Sequence, residues 1–201
     1  MPKGIPLSEE DRDRVRKRIF RDASKLFLQQ GFHESSMRQI AEEAGMGKST
    51  IYDYFSSKEE ILLFFVEEEM DSVHVEAARI AEKNIQASEK LSKILNSLWE
   101  YLKQHQAMAA LFTREVSRLS ENATRRVRMR RLKYRSILQD VIQQGIEEGE
   151  FRDLDAELLA STLHSMITMP YYDWLQRDRL VSDRKIVDVI MDLFFDGVRF
   201  R

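Results

Sequence analysis

Lys48, Ser49, Thr50, Tyr52 and Tyr54 crowd into one short run of the stretch SMRQIAEEAGMGKSTIYDYFSSK, Ser36 to Lys58. These side chains suit hydrogen bonding to a polymer surface better than bond making. A lysine donates to guanine O6 and N7 or to a phosphate, and a threonine offers a hydroxyl and a methyl that can meet a thymine methyl. Gly47 and Ser49 are small enough to let a backbone approach a groove, while Tyr52 and Tyr54 can reach phosphates or base edges from the next turn. Ser36 and Lys58 stand at the starts of two further helical segments, where the helix dipole favours phosphate contacts. The simpler reading, core aromatics, is accepted for Phe55, which shares the apolar side of Ile51. Asp53 sits between the two tyrosines. It either accepts from cytosine N4 or points away and pairs with a nearby base. The second is the better reading, because an unpaired carboxylate beside phosphates is costly.

Two short helices must hold these residues. Ser36 with Gln39 forms an S-x-x-Q capping box, and Ile40, Ala41 and Ala44 give the first segment an apolar face. Gly45 can take positive φ and so end that segment sharply. The second segment buries Ile51 and Phe55 and leaves its polar side outward. Two helices joined by a short glycine-containing turn are a helix-turn-helix pattern.

The remainder of the chain is consistent with an all-α fold. Among 201 residues there are only seven Gly and three Pro, and no sustained alternating run suggests a strand. An apolar fraction of 43% supports a sizeable core. The formal net charge of −2 means that nucleic-acid binding has to come from local charge, not from the whole molecule. With no cysteine, a disulfide framework, a thiol nucleophile and thiolate metal sites are all excluded. No apolar run reaches the roughly 18 residues that a membrane span requires, and the N-terminal MPKGIPLSEEDRDR has no apolar signal core. The expected setting is the cytoplasm, with no membrane partner.

About nine helices are expected. A loose arm over residues 1–7 precedes helix 1, capped by Ser8, with Val15, Ile19, Ala23, Leu26 and Phe27 on one face and Gly31 at its end. Helices 2 and 3 span 37–44 and 48–54, and helix 4, opened by Ser57 and Glu60, runs long, to Lys83. Helix 5 (89–104) carries a regular stripe through Leu91, Ile94, Leu95, Leu98, Trp99 and Leu102. Helices 6 and 7 cover 107–119 and 124–147; helix 8 starts at Asp155 and is kinked or broken at Pro170; helix 9 starts at Ser182.

The segment RIFRDASKLFLQQGFHESSMRQIAEEAGMGKSTIYDYFSSKEEIL, Arg18 to Leu62, resembles the N-terminal domain of TetR-type transcriptional regulators. The shared pattern is Leu-Phe and Gly-Phe, then Ile-Ala-x-x-Ala-Gly, a small polar run, Tyr-x-x-Phe and Lys-Glu. It covers about a quarter of the chain, continuously and in order. The resemblance implies a DNA-binding head over 1–57 and a helical body over 58–201 that binds a small molecule and forms a homodimer. It places double-stranded operator DNA at Ser36, Gly47, Lys48, Ser49, Thr50, Tyr52, Tyr54 and Lys58. The sequence departs from the family in having Gly47 where many members have Ser or Thr, Ser49 where many have Gly, and an acid at Asp53. The family's dimer seam lies on its last two helices, here Leu159, Leu163, Met166, Val187, Ile190, Met191 and Phe194.

Candidates for the body's ligand site are its large or adaptable side chains: Trp99, Phe112, Tyr134, His164, Met169, Tyr171 and Trp174. They favour an apolar or aromatic effector, with no cofactor. The basic run Thr124 to Arg135 reads as a solvated helix start balanced by the acidic 67–69 stretch, with an anion-holding surface as the sharper alternative. Glu67, Asp71 and His74 share one helix face and could hold a metal, but no Glu-x-x-His pair supports a di-iron bundle. An ion-paired surface is the better reading. No nucleophile elbow or phosphate loop suggests an enzyme. The expectation is therefore a ligand-released repressor on a pseudo-palindromic operator, and the alternative is a helical interaction protein whose head no longer binds DNA.

Overall fold

The computed structural model describes the backbone of residues 8–176 and 183–199, with side chains described for these except at 69, 169–176 and 183–185. The fold is all-α. The first three helices, named the head after the expected DNA-binding domain, are α1 (Glu9–Gln30), α2 (Met37–Glu43) and α3 (Lys48–Tyr52). The body follows with α4 (Lys58–Phe64), α5 (Asp71–Ala81), α6 (Ala87–Gln104), α7 (Gln106–Glu115), α8 (Glu121–Glu147), α9 (Ala156–Gln176) and α10 (Asp183–Val198). Among the described residues the only β feature is an isolated bridge between Phe151 and Arg199.

Local chemistry explains most of the boundaries. Ser8, Ser36, Ser57 and Ser120 each cap a helix by accepting from the backbone N–H three residues on. The Ser36 box is complete: Gln39 N–H donates to Ser36 Oγ (3.3 Å), and Ser36 N–H donates to Gln39 Oε1 (2.9 Å). The Ser57 box closes on one side only, because Glu60 instead accepts from Arg126 of α8 (2.6 Å). Gly45 takes φ +63 and stops α2, so that the chain can turn back into α3.

Two expectations are corrected. The long fourth helix is not a single α-helix. A π turn over Phe65–Glu69 separates α4 from α5, and counting this tract as one element restores nine. A π turn inserts an extra residue into the helical ladder and turns the faces on either side of it relative to one another. Nor does Pro170 break its helix: α9 continues to Gln176. A proline inside a helix removes one hydrogen bond, and a long packed helix can tolerate that loss.

One continuous core joins head and body. Ile19, Ala23 and Phe27 of α1 pack with Ile40, Ile51 and Phe55, and onward to Ile61, Leu62 and Phe64 of α4. The expected α6 stripe is buried throughout, Leu91 to Leu102. Leu163, Val187, Ile190, Met191 and Phe194 are likewise buried within the single chain, at 0–5% exposure. These five of the seven expected seam residues are thus drawn into the chain's own core, while Leu159 and Met166 are half-buried. Among the described side chains, the most regular apolar stripe of each terminal helix belongs to its own core, leaving Leu158, Val189 and Leu193 outward, 64%, 52% and 62% exposed.

Candidate nucleic-acid interface and body cavity

α3 is five residues long and anchored from behind. Ile51 (0% exposed) and Phe55 (2%) enter the core, whereas Gly47, Lys48, Ser49, Thr50, Tyr52 and Asp53 are all exposed. The geometry thus assembles one outward face from the polar run. Tyr54 is half-buried beneath the Arg12 guanidinium, 5.3 Å from its ring centroid. The same arginine donates to the Asp53 carbonyl. Arg16 lies between Phe55 (5.1 Å) and Phe64 (4.8 Å). These two arginines of α1 fix the end of α3, a role that sequence reasoning missed because nothing local signals a contact across about 40 residues. The expected pairing of Asp53 is corrected: among the described residues its carboxylate has no partner, and the nearby cation bonds its carbonyl instead.

Lys58 is also corrected. Its ammonium donates to the carbonyls of Phe32 (2.7 Å), His33 (2.9 Å) and Ser35 (3.0 Å) and sits 4.8 Å over the Phe32 ring. All three donors are engaged in fastening the α1–α2 loop, so none is left for a phosphate. Ser36 Oγ, although exposed, is held inside its capping box.

His33 ties the head to the body, and ion pairs within the body brace its helices. His33 Nε2 lies 2.8 Å from Glu115 Oε2, and Arg114 and Arg118 flank the same carboxylate. Burial alone would raise the pKa of Glu115, but hydrogen bonds and charge from Arg114 and His33 outweigh it, and the carboxyl is held below its ordinary range. Arg126 bonds Glu60 and Glu67, and Arg130 bonds Asp71 (2.9 Å) and the Glu67 carbonyl. The first half of the basic run therefore staples α8 to α4, the π turn and α5. The Glu67, Asp71 and His74 trio is absorbed by the same arrangement, since both nitrogens of His74 face carbonyl oxygens, Met70 O and Arg130 O, at 3.2 Å.

The body holds a partly open cavity of about 100 Å³, walled by Phe65, Val66, Val73, Leu98, Leu102 and Phe112. Of the expected ligand residues, Phe112, Tyr134 and His164 border it. Trp99 lies in the core, 1% exposed, outside the lining of this cavity. Met169, Tyr171 and Trp174 lie outside the described side chains. Sequence reading missed Phe65, Val66 and Met70 as lining residues, because the π turn that aims them inward leaves no composition signal.

Two family models match the chain: "Bacterial regulatory proteins, tetR family" over residues 19–63 and "Tetracyclin repressor-like, C-terminal domain" over residues 84–198. The chain belongs to the TetR family. The "HTH-type transcriptional repressor KstR2" of Mycobacterium tuberculosis is 30% identical over 139 residues, covering 68% of this chain and 70% of that protein. The "Fatty acid metabolism regulator protein" of Bacillus subtilis is 23% identical over 177 residues, 88% of this chain and 91% of that one. The crystal structure of the regulator FadR from Bacillus subtilis in complex with stearoyl-CoA superposes with a TM-score of 0.80 over 90% of this chain and 98% of that one, at 23% identity. As a TetR-family protein the chain is a ligand-responsive DNA-binding transcriptional repressor, with its head in the first matched segment and its regulatory body in the second.

Proposed function

We propose that the exposed face of α3 reads a pseudo-palindromic operator in the major groove. Lys48, Ser49 and Thr50 address base edges, Gly47 allows close backbone approach, and Tyr52 reaches phosphate. The observation that carries this reading is the contiguous exposure of Gly47–Thr50 and Tyr52 on a helix locked behind by Ile51 and Phe55. Tyr54 serves at the edge of the face, oriented by Arg12. Two heads act together in a homodimer built on the outward faces of α9 and α10, at Leu158, Val189 and Leu193. Two-fold symmetry then spaces the heads by about 34–36 Å or a close variant. The working compartment is the cytoplasm, where the operator lies; among the described residues no helix is long and apolar enough to cross a membrane.

The effector is a small molecule whose apolar part fills the body cavity. Support comes from the cavity's walls and from the relative solved with stearoyl-CoA. Transmission runs through the π turn: Phe65, Val66 and Met70 border the cavity and continue directly from α4, whose Ile61 and Leu62 sit in the core shared with the head. A ligand that displaces this wall displaces α4, and with it the head.

The decisive measurement is a gel shift with DNA flanking the gene, run at several salt concentrations. Lys48→Ala should weaken operator binding about tenfold and lower the salt slope by about one, with the dimer intact. An unchanged affinity and slope would remove Lys48 from the interface. If the wild-type protein retards none of that DNA, the helical interaction protein becomes the better reading.

A further inference from the structure

α8 carries two sets of arginines with opposite circumstances. Arg126 and Arg130, facing α4 and α5, are each held by carboxylates. Arg131 and Arg135, facing α9, have no carboxylate partner among the described residues; Arg135 donates only to Ser161 Oγ (3.0 Å). Arg131 borders the body cavity, and Tyr134 lies on the same helix face three residues on.

The Tyr134 hydroxyl is the stronger pointer. Its residue is 5% exposed, it borders the cavity, and it has no hydrogen-bond partner. An orphaned buried hydroxyl costs stability and is rare in folded proteins unless water or a ligand satisfies it. Burial raises its pKa, so it remains a donor. His164 lies opposite, with ring centroids 5.8 Å apart. Burial, then the charges of Arg131 and Arg135, push its pKa down to about 4, so that it is neutral near pH 7. A neutral imidazole held in a positive potential and a protonated phenol together await an acceptor of negative charge.

We propose that the cavity takes a small organic carboxylate, with its apolar body against the Phe112 wall and its carboxylate on the Tyr134 hydroxyl and the Arg131 guanidinium. This deepens the reading of the cavity as the effector site and rests on it. Size narrows the class. An apolar cavity of about 150 Å³ holds the six carbons of a benzene, so about 100 Å³ takes an apolar body of roughly four carbons, and the cavity's open side leaves room for a slightly longer chain such as that of hexanoate. The same oxygen chemistry could reach the site as a free acid or as the carbonyl of a thioester. The two arginines without a carboxylate partner favour the free acid, because only that form brings a negative charge to the end marked by Tyr134 and Arg131.

Titration calorimetry on the full chain with sodium hexanoate, hexanoyl-CoA and 1-hexanol separates these cases. Hexanoate should bind at least about tenfold more tightly than 1-hexanol, the typical weight of a hydrogen bond to a charged group. Tyr134→Phe should melt at the same or a higher temperature, since it removes an orphaned hydroxyl, yet lose at least about tenfold in hexanoate affinity while 1-hexanol is unaffected. Arg131→Gln, at an exposed residue on the cavity's rim, should show the same selective loss. The proposal is overturned if acid and alcohol bind alike, if Tyr134→Phe keeps its hexanoate affinity, if hexanoyl-CoA binds more tightly than the acid, or if no probe binds. Hexanoate that binds as expected but leaves the operator complex intact in a gel shift would sustain the carboxylate site and remove its role as effector site.

Discussion

Lys58 and Lys48 are the same residue type, ten positions apart, and the fold gives them opposite work. Lys48 projects into solvent from the first turn of α3, whereas the three donors of Lys58 are satisfied by carbonyls of the α1–α2 loop. A lysine that closes a loop contributes stability to the head; a lysine left free contributes charge to an interface. Lys58→Met should therefore cost about 2–3 kcal/mol in urea unfolding, from three carbonyls that lose a charged donor. If the variant unfolds like wild type but releases operator DNA, Lys58 is a phosphate contact after all. Arg12 makes the same point from the other side. It is one charge among many in the sequence, and the fold sets it over Tyr54 and against the end of α3.

At the scale of elements, close approach decides what a helix can carry. Gly145 lies inside α8, where a glycine is about 1 kcal/mol worse than alanine. Its reason is packing: a Cβ there would fall 2.4 Å from Phe151 Cδ2 and Cε2 and 2.9 Å from Ala87 Cβ. Phe151 is 1% exposed and stacked on Phe195, so its ring has no room to withdraw. Gly145→Ala should thus destabilise by about 1–2 kcal/mol, overpacking outweighing the gain in helix propensity. A higher urea midpoint in that variant would mean that Phe151 is free to shift. The π turn is the other element-level device. It inserts an extra residue between α4, which packs into the core shared with the head, and α5, which borders the cavity, and α8 pins it through Arg126 and Arg130. An element tied to both sites is where ligand occupancy can be converted into head movement.

At the scale of the whole molecule, a net charge of −2 and a five-residue reading helix leave a single head with little affinity of its own. In the proposed homodimer a second head supplies the rest. The outward apolar side chains of α9 and α10 are the surface available for that pairing, and Leu193 is 62% exposed in the single chain. Leu193→Asp should yield a monomer by light scattering, with melting of the chain little changed and operator affinity at least about 100-fold lower through lost avidity. A variant that remains dimeric would place the seam elsewhere.

Periodicity and capping determined much of this protein in advance. Hydrophobic spacing placed the α6 stripe in the core, serine caps set several helix starts, and Gly45 set the turn before α3, because these features depend on neighbours within a few residues. The polar run from Gly47 to Tyr52 was legible for the same reason: its partners Ile51 and Phe55 lie in the same short stretch. Contacts across the fold were not legible. The burial of Leu163 and Ile190 in place of Leu158 and Leu193, the engagement of Lys58, the split of the fourth helix and the orphaned hydroxyl of Tyr134 all depend on which element packs opposite. A helix with apolar residues on two faces does not say which face its own core will take. Only the tertiary structure decides that, since burial is set by the geometry of the partners and not by the residue alone.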